Sequence, residues 1–285
     1  MKHQLIAASA VLLLSTAAFG ADHRFDRTLN VSGQSDLYVS TGSGNITIHP
    51  GDGNQIRVVG HVHSGWNVFG DVDGKITKIV ENPPITQEGN TIKVGLSGDH
   101  DLFNNISIDY EVTAPADVAL NLHSGSGDVM VDHVGRYLSA TSGSGNVRAH
   151  GIHGPAELSS GSGDIELEQD GPGDVKTKSG SGNIKVHGFN GGISARTGSG
   201  DVEADGKLTA AANLASGSGN VVMHLNSDAH FNLEASTGSG DIHIRFPGAP
   251  EQGENSRHHL TAPINGGGAP LEVRTGSGNV EIDSH

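Results

Sequence analysis

No cysteine occurs anywhere in the 285 residues, so the chain forms no disulfide and lacks the thiol that lipoprotein anchoring requires. Basic residues are scarce: 17 Lys and Arg face 32 Asp and Glu, a formal charge of −15. That balance argues against nucleic acid or an anionic membrane as partner, because the summed field repels phosphate. Long apolar runs are also lacking. The longest, Leu5 to Leu14, is too short to span a bilayer, and nothing later approaches the ~20 apolar residues a spanning helix needs. Aromatic residues make up 4% against 43 glycines, a balance that reads as disorder when the glycines are scattered.

The glycines are not scattered. Gly-Ser-Gly followed by Asp or Asn, then Val or Ile, begins at Gly42, Gly125, Gly143, Gly161, Gly180, Gly198, Gly217, Gly238 and Gly276. From Gly125 the steps are 18, 18, 19, 18, 19, 21 and 38 residues. A fixed period near this length marks a solenoid or array. The third and fifth residues before each motif are mostly apolar or small, and so are the two alternate residues after its Asp or Asn. Each repeat therefore reads as two short strands with period-two burial joined by a glycine turn. The expected fold is all-β: a right-handed parallel β-solenoid with one coil of 18–19 residues per repeat.

Three regions are expected. Residues 1–20 carry Lys2, the apolar run and a small-x-small end at Ala18-Phe19-Gly20, the pattern of a secretory signal peptide. Export to the periplasm or cell surface, without a lipid anchor, follows, and losing Lys2 takes the charge to −16. Residues 21–124 hold the first repeat and an irregular β cap. Strands are expected at Gln55 to Val62, Lys75 to Val80, Thr91 to Leu96 and Asn105 to Val112, with Trp66 and Phe69 able to cover the end. Residues 125–285 hold the regular repeats, interrupted by a long loop at 247–269 and ending without an evident cap.

The corner residues Gly125, Gly127, Asp128, Gly143, Gly145, Asn146, Gly161, Gly163 and Asp164 are expected to be structural. The glycines would supply backbone angles closed to other residues, and Asp or Asn would bond nearby backbone at the turn. The fourth motif position alternates Asn and Asp from Asn45 to Asn279. One repeat per coil then stacks each Asp on an Asn, whereas two repeats per coil would stack Asp on Asp.

The chemistry on offer is limited. Asp132, His150, Glu168, His187, Asp205 and His224 fall in one outward column. Imidazole and carboxylate suit zinc or copper, but a ladder of hydrogen bonds and partial ion pairs accounts for the same column. His61-x-His63 puts two imidazoles on one strand face, too few for a closed site. Calcium-binding β-rolls place Asp one position later in their turns, and half of the aspartates are Asn here. Gly-Ser-Gly-Asn leads into a strand rather than the helix a phosphate loop opens. Catalytic glycan-cleaving β-helices concentrate acids in a groove, while the repeat spreads them evenly here. No cofactor is expected.

The run from Ile106 to Val129, ISIDYEVTAPADVALNLHSGSGDV, followed by serial Thr/Ser-Gly-Ser-Gly-Asp/Asn units, resembles the putative adhesin family of bacterial exported β-strand-repeat proteins. The resemblance covers nearly the whole chain after the leader. It implies a β-solenoid envelope protein without established catalytic residues. The loop 247–269 and the Asp/Asn alternation depart from the family pattern. The expected role is non-enzymatic, adhesin-like or scaffolding, through association with a glycan, a protein or a second copy. Its expected specific contacts are the loop 247–269 and the Trp66 to Phe69 connection. A metal-binding module and a glycan-active enzyme are the alternatives.

Overall fold

The computed structural model describes residues 23–64, 72–95, 100–250 and 257–284. Residues 1–20, expected as a signal peptide, lie outside the described residues, as do Trp66, Phe69 and, in the expected loop, Glu251 to Ser256. The fold is all-β and solenoid-like. The chain opens with β1 (Arg24–Asn30), β2 (Ser35–Thr41), β3 (Ile46–Pro50) and β4 (Gln55–Ser64). Then come α1 (Val72–Glu81), β5 (Ile85–Glu88), β6 (Thr91–Val94), α2 (His100–Phe103) and β7 (Ile106–Ala114). The regular section begins with β8 (Val118–Ser124), β9 (Val129–Asp132), β10 (Tyr137–Ser142), β11 (Val147–Ile152) and β12 (Ala156–Ser160). It continues through β13 (Ile165–Gln169), β14 (Val175–Ser179), β15 (Ile184–Thr197), β16 (Val202–Ser216) and β17 (Val221–Leu225). The last elements are β18 (Phe231–Thr237), β19 (Ile242–Arg245), β20 (His259–Ile264), β21 (Ala269–Thr275) and β22 (Val280–Ser284).

Strands before the motif pair in parallel with strands before the next motif, and strands after it do likewise. Leu138 lies beside Leu120 and Ala156, and Val147 beside Val129 and Ile165. The result is two stacks, one of pre-motif and one of post-motif strands, whose buried parities share one apolar cluster. Leu120, Leu138 and Leu158 fill it from one side, and Ile165, Leu167 and Ile184 from the other. Alternation of apolar and polar residues with period two is what commits each strand to this burial.

Both ends depart from chain order. At the first end, the rung of β2 and β3 stacks directly against β8 and β9. The intervening chain builds outward: β6 and β7 lie on the far side of β2 and β3, and β4 and β1 add antiparallel strands beyond β7. The stretch Lys75 to Val80, expected as a strand, lies in α1. Val72, Ile76 and Ile79 are its buried residues, spaced i, i+4, i+7, a helical face that a short window of alternation concealed. Asp73 in the first turn and Lys78 in the last suit the helix dipole, and α1 packs against β4 and β1.

At the other end, the final repeat does not end the stack. β21 and β22 insert between the rung of β16 and β17 and the rung of β18 and β19. The expected loop at 247–269 carries β20, which pairs antiparallel with β18 and so covers the outer rung. Phe231 and Phe246 meet edge-to-face at 5.2 Å in that rung. A terminal rung otherwise exposes unpaired backbone and apolar core. Antiparallel strands, reached by threading the chain out and back, meet that need at both ends.

Candidate functional site

The corner motif is the most repeated local geometry. From Ser124 onward the Ser or Thr immediately before the motif is buried and does two jobs. Ser142 Oγ accepts from the N–H of Gly145 at 2.9 Å and donates to the carbonyl of Gly127, one rung back, at 2.8 Å. Ser124, Ser160, Ser179, Thr197, Ser216, Thr275 and Thr237 repeat the pair of bonds. No buried hydroxyl in this column is left unsatisfied, which low-dielectric burial demands.

The motif glycines serve close approach, not unusual dihedrals. None has positive φ, which corrects the expectation from the sequence. A Cβ on Gly161 would lie 2.2 Å from the carbonyl oxygen of Gly143, and one on Gly163 would lie 2.2 Å from that of Gly145. The same collision recurs along the stack, as at Gly127 on Gly44 and Gly145 on Gly127. Glycine is required because another rung lies directly beneath.

The Asp or Asn side chain also acts between rungs rather than within its own turn. The N–H of Asn146 donates to Asp128 Oδ1 at 2.7 Å, and that of Asp164 to Asn146 Oδ1 at 2.9 Å. Asn183 continues on Asp164 at 2.7 Å and Asp201 on Asn183 at 2.9 Å. The ladder begins at Asp109, which accepts from Asn45, and ends with Asp241 donating to Asn279. Bonds to carboxylate are the shorter ones, as charge assistance requires. Because the final repeat is inserted, the spatial order closes Asn220, Asn279, Asp241. No Asp stacks on Asp anywhere in this column.

The outward His and carboxylate column resolves into pairs. Asp132 lies beside His150 but bonds His133 Nδ1 at 2.6 Å. That hydrogen bond, then the charge of Asp132, raises the pKa of exposed His133 above its ordinary value. His150 contacts Glu168 at 3.3 Å, His187 bonds Asp205, and His224 sits 4.0 Å from Asp283. Asp283 in turn meets Arg245 at 2.9 Å. Insertion of β22 therefore sets Asp283 between His224 and Arg245 and continues the alternation of cation and anion. Among the described residues, no three His, Asp or Glu side chains are arranged to hold a metal ion. His61 lines an open depression of about 410 Å³ with His49, Asp109 and Glu111, while His63 Nε2 sits 3.0 Å from Asp109.

The two outer surfaces differ electrically. The post-motif surface carries Asp128, Asp132, Asp164, Glu166, Glu168, Asp201, Glu203, Asp205, Asp241, Glu281 and Asp283, against Arg148, Lys185 and Arg245. The pre-motif surface is close to balanced and rich in hydroxyls. Its outward residues include Tyr38, Asn121, Ser139, Thr141, Glu157 and Ser159 toward one end, then Lys176, Lys178, Ser194 and Arg196. A shallow groove of about 320 Å³ is lined there by Tyr38, Ser40, Asn121, His123, Ser139 and Thr141, with Val39 and Leu122 at its floor. These residues occupy the outward parity before the motif. In sequence, that parity shows only as unremarkable polar positions; their convergence depends on which rungs stack. Among the described residues, no helix is long and apolar enough to cross a membrane.

A family model described as Toastrack DUF4097 matches residues 26–283. Among solved structures, a putative cell adhesion protein from Clostridium sporogenes is similar at 12% identity, covering 92% of this chain and 100% of that one, with a TM-score of 0.32. A putative adhesin from Bacteroides fragilis is similar at 11% identity, covering 91% and 96%, with a TM-score of 0.35. A putative lipid binding protein from Parabacteroides distasonis is similar at 14% identity, covering 92% and 98%, with a TM-score of 0.34. No curated protein matches the chain.

Proposed function

The chain belongs to the Toastrack DUF4097 family, and from that premise we propose an exported, non-enzymatic, adhesin-like protein of the bacterial envelope that binds glycan through its pre-motif surface. The winding is read as right-handed with one coil per repeat, supported by parallel pairing of strands 18 or 19 residues apart. The observation that carries the function is the groove at Tyr38. A partly buried aromatic ring offers an apolar face to the C–H side of a sugar, while hydroxyl, amide and imidazole groups around it address ring hydroxyls. The interlocked corner ladders hold those groups on a stiff surface, which lowers the entropy lost on binding.

The test is retention of the chain from residue 21 onward on a panel of immobilised polysaccharides, followed by Tyr38→Ala. Binding to at least one glycan, weakened about tenfold or more in the variant without change in melting temperature, supports the assignment. Equal binding by the variant, or release of new reducing ends from the polysaccharide, overturns it.

A further inference from the structure

Like charges are kept apart through most of this stack. The aspartates of the corner column are separated by asparagines, and Glu234 and Glu272, which are direct partners, are bridged by Arg274 at 2.9 and 2.6 Å. One place breaks the pattern. Lys178 on β14 and Arg196 on β15 are direct parallel partners with both side chains outward. Lys176 is two residues from Lys178 on the same surface. Arg196 Nε donates to Asn213 Oδ1 at 3.0 Å. Glu157 on β12 is the direct partner of Lys176, whereas the direct partners of Lys178 and Arg196 are Ser159, each other and Ala215, so no carboxylate stands beside that pair in its column. Stacked like charges are destabilising at this spacing, and an otherwise acidic chain has carboxylates in abundance to place there.

We propose that Lys176, Lys178 and Arg196 bind the carboxylates of an acidic polysaccharide lying across the rungs. The inference rests on the glycan-binding reading of the same surface and names its ligand class. The outward column through Lys178 runs Ser40, His123, Thr141, Ser159, Lys178, Arg196, a single file of donors at the strand spacing of ~4.8 Å. That repeat is comparable to the length of one sugar ring in an extended chain, so successive residues meet successive rungs. Hydroxyls and the Tyr38 groove serve uncharged parts of the polymer, and the cations serve its acid groups. A stacked pair of cations with Lys176 in the adjoining column, and a strongly acidic surface on the opposite side, suits a linear polymer better than a membrane plane.

The experiment measures binding of the chain to polygalacturonate, with neutral dextran and phosphatidylglycerol vesicles as comparisons, at low and high NaCl. Wild type should bind polygalacturonate and weaken as salt rises. Lys178→Ala with Arg196→Ala should lose about tenfold or more. Lys178→Glu should lose binding while raising the melting temperature, because it replaces a cation stack by an opposite-charge pair. Unchanged binding in Lys178→Glu, or capture of vesicles without capture of polygalacturonate, overturns the proposal. Binding of neutral glycans with no binding of polygalacturonate also overturns it but leaves the glycan-binding function standing. Failure of every glycan removes both.

Discussion

Replacing Asn183 by Asp should put a third carboxylate between those of Asp164 and Asp201, making an unbroken stack, and destabilise the fold by about 2 kcal/mol at neutral pH. In the native protein the N–H of Asn183 donates to Asp164 Oδ1, and Asn183 Oδ1 accepts from the N–H of Asp201. The new carboxylate still offers an oxygen to Asp201, so the backbone bond survives and only charge changes. Parallel strands set the neighbours ~4.8 Å apart. At that distance two unit charges repel by about 0.9 kcal/mol in bulk water, and two such pairs give about 1.7 kcal/mol, rising where the local dielectric is lower. The assay is urea unfolding of wild type and variant at pH 7 and pH 3. Like-charge crowding raises the carboxyl pKa values in the folded variant, so its deficit should be full at pH 7 and shrink as acid protonates the stack. One molar NaCl at pH 7 should recover part of it. Asn183→Ala separates the effects: it removes the acceptor, costs about 1 kcal/mol, and shows the same cost at both pH values. An Asn183→Asp deficit equal at pH 7 and pH 3, or absent at pH 7, would refute the account of the alternation.

Much of the fold could be read locally. Period-two burial on either side of each motif correctly gave the inward residues from Leu120 to Ile282, because a strand's alternation leaves little choice of face. The Asp/Asn alternation correctly predicted carboxylates separated by amides. What could not be read was order among near-identical rungs. Gly217, Gly238 and Gly276 open equivalent corners, so nothing local says that Gly276 rests on Gly217 and Gly238 on Gly276. Ile76-Thr-Lys-Ile79 fits a strand or a helix in a short window, and packing against β4 decided for α1. The glycines were attributed to dihedral freedom because steric pressure from a neighbouring rung leaves no mark in sequence. The groove at Tyr38 and the Lys178 and Arg196 pair arise only when columns from several coils are laid side by side.

Three further outcomes are expected. Gly163→Ala drives a Cβ to 2.2 Å from the Gly145 carbonyl oxygen and should cost roughly 1–3 kcal/mol or more in urea unfolding; Gly53→Ala, whose Cβ would meet nothing within 4 Å but whose φ is +82, should cost only about 1–2 kcal/mol of backbone strain. Thr177 buries a hydroxyl that has no hydrogen-bond partner, so Thr177→Val should raise stability by about 1 kcal/mol, seen as a higher urea midpoint at unchanged slope. The Arg57 guanidinium hydrogen-bonds Asp26 and holds its pKa below the ordinary carboxylate value. That bond contributes stability above the unfolded pKa, lost as pH falls through the folded one. Because Asp26 is partly exposed, Asp26→Asn should cost less than about 1 kcal/mol at pH 6 and less still at pH 2 in parallel melts.

The lack of cysteine makes the rung order directly measurable by pairwise introduction of thiols at the corner serines. Ser218 and Ser277 belong to directly stacked corners, while Ser218 and Ser239 are separated by the inserted rung. One strand spacing of ~4.8 Å lies within disulfide reach and two spacings lie outside it. Under mild oxidation, Ser218→Cys with Ser277→Cys should close a disulfide, seen as a gel-mobility shift reversed by reductant, and Ser218→Cys with Ser239→Cys should stay reduced. Rapid closure of the second pair and failure of the first would contradict the back-threaded stack on which the two surfaces depend.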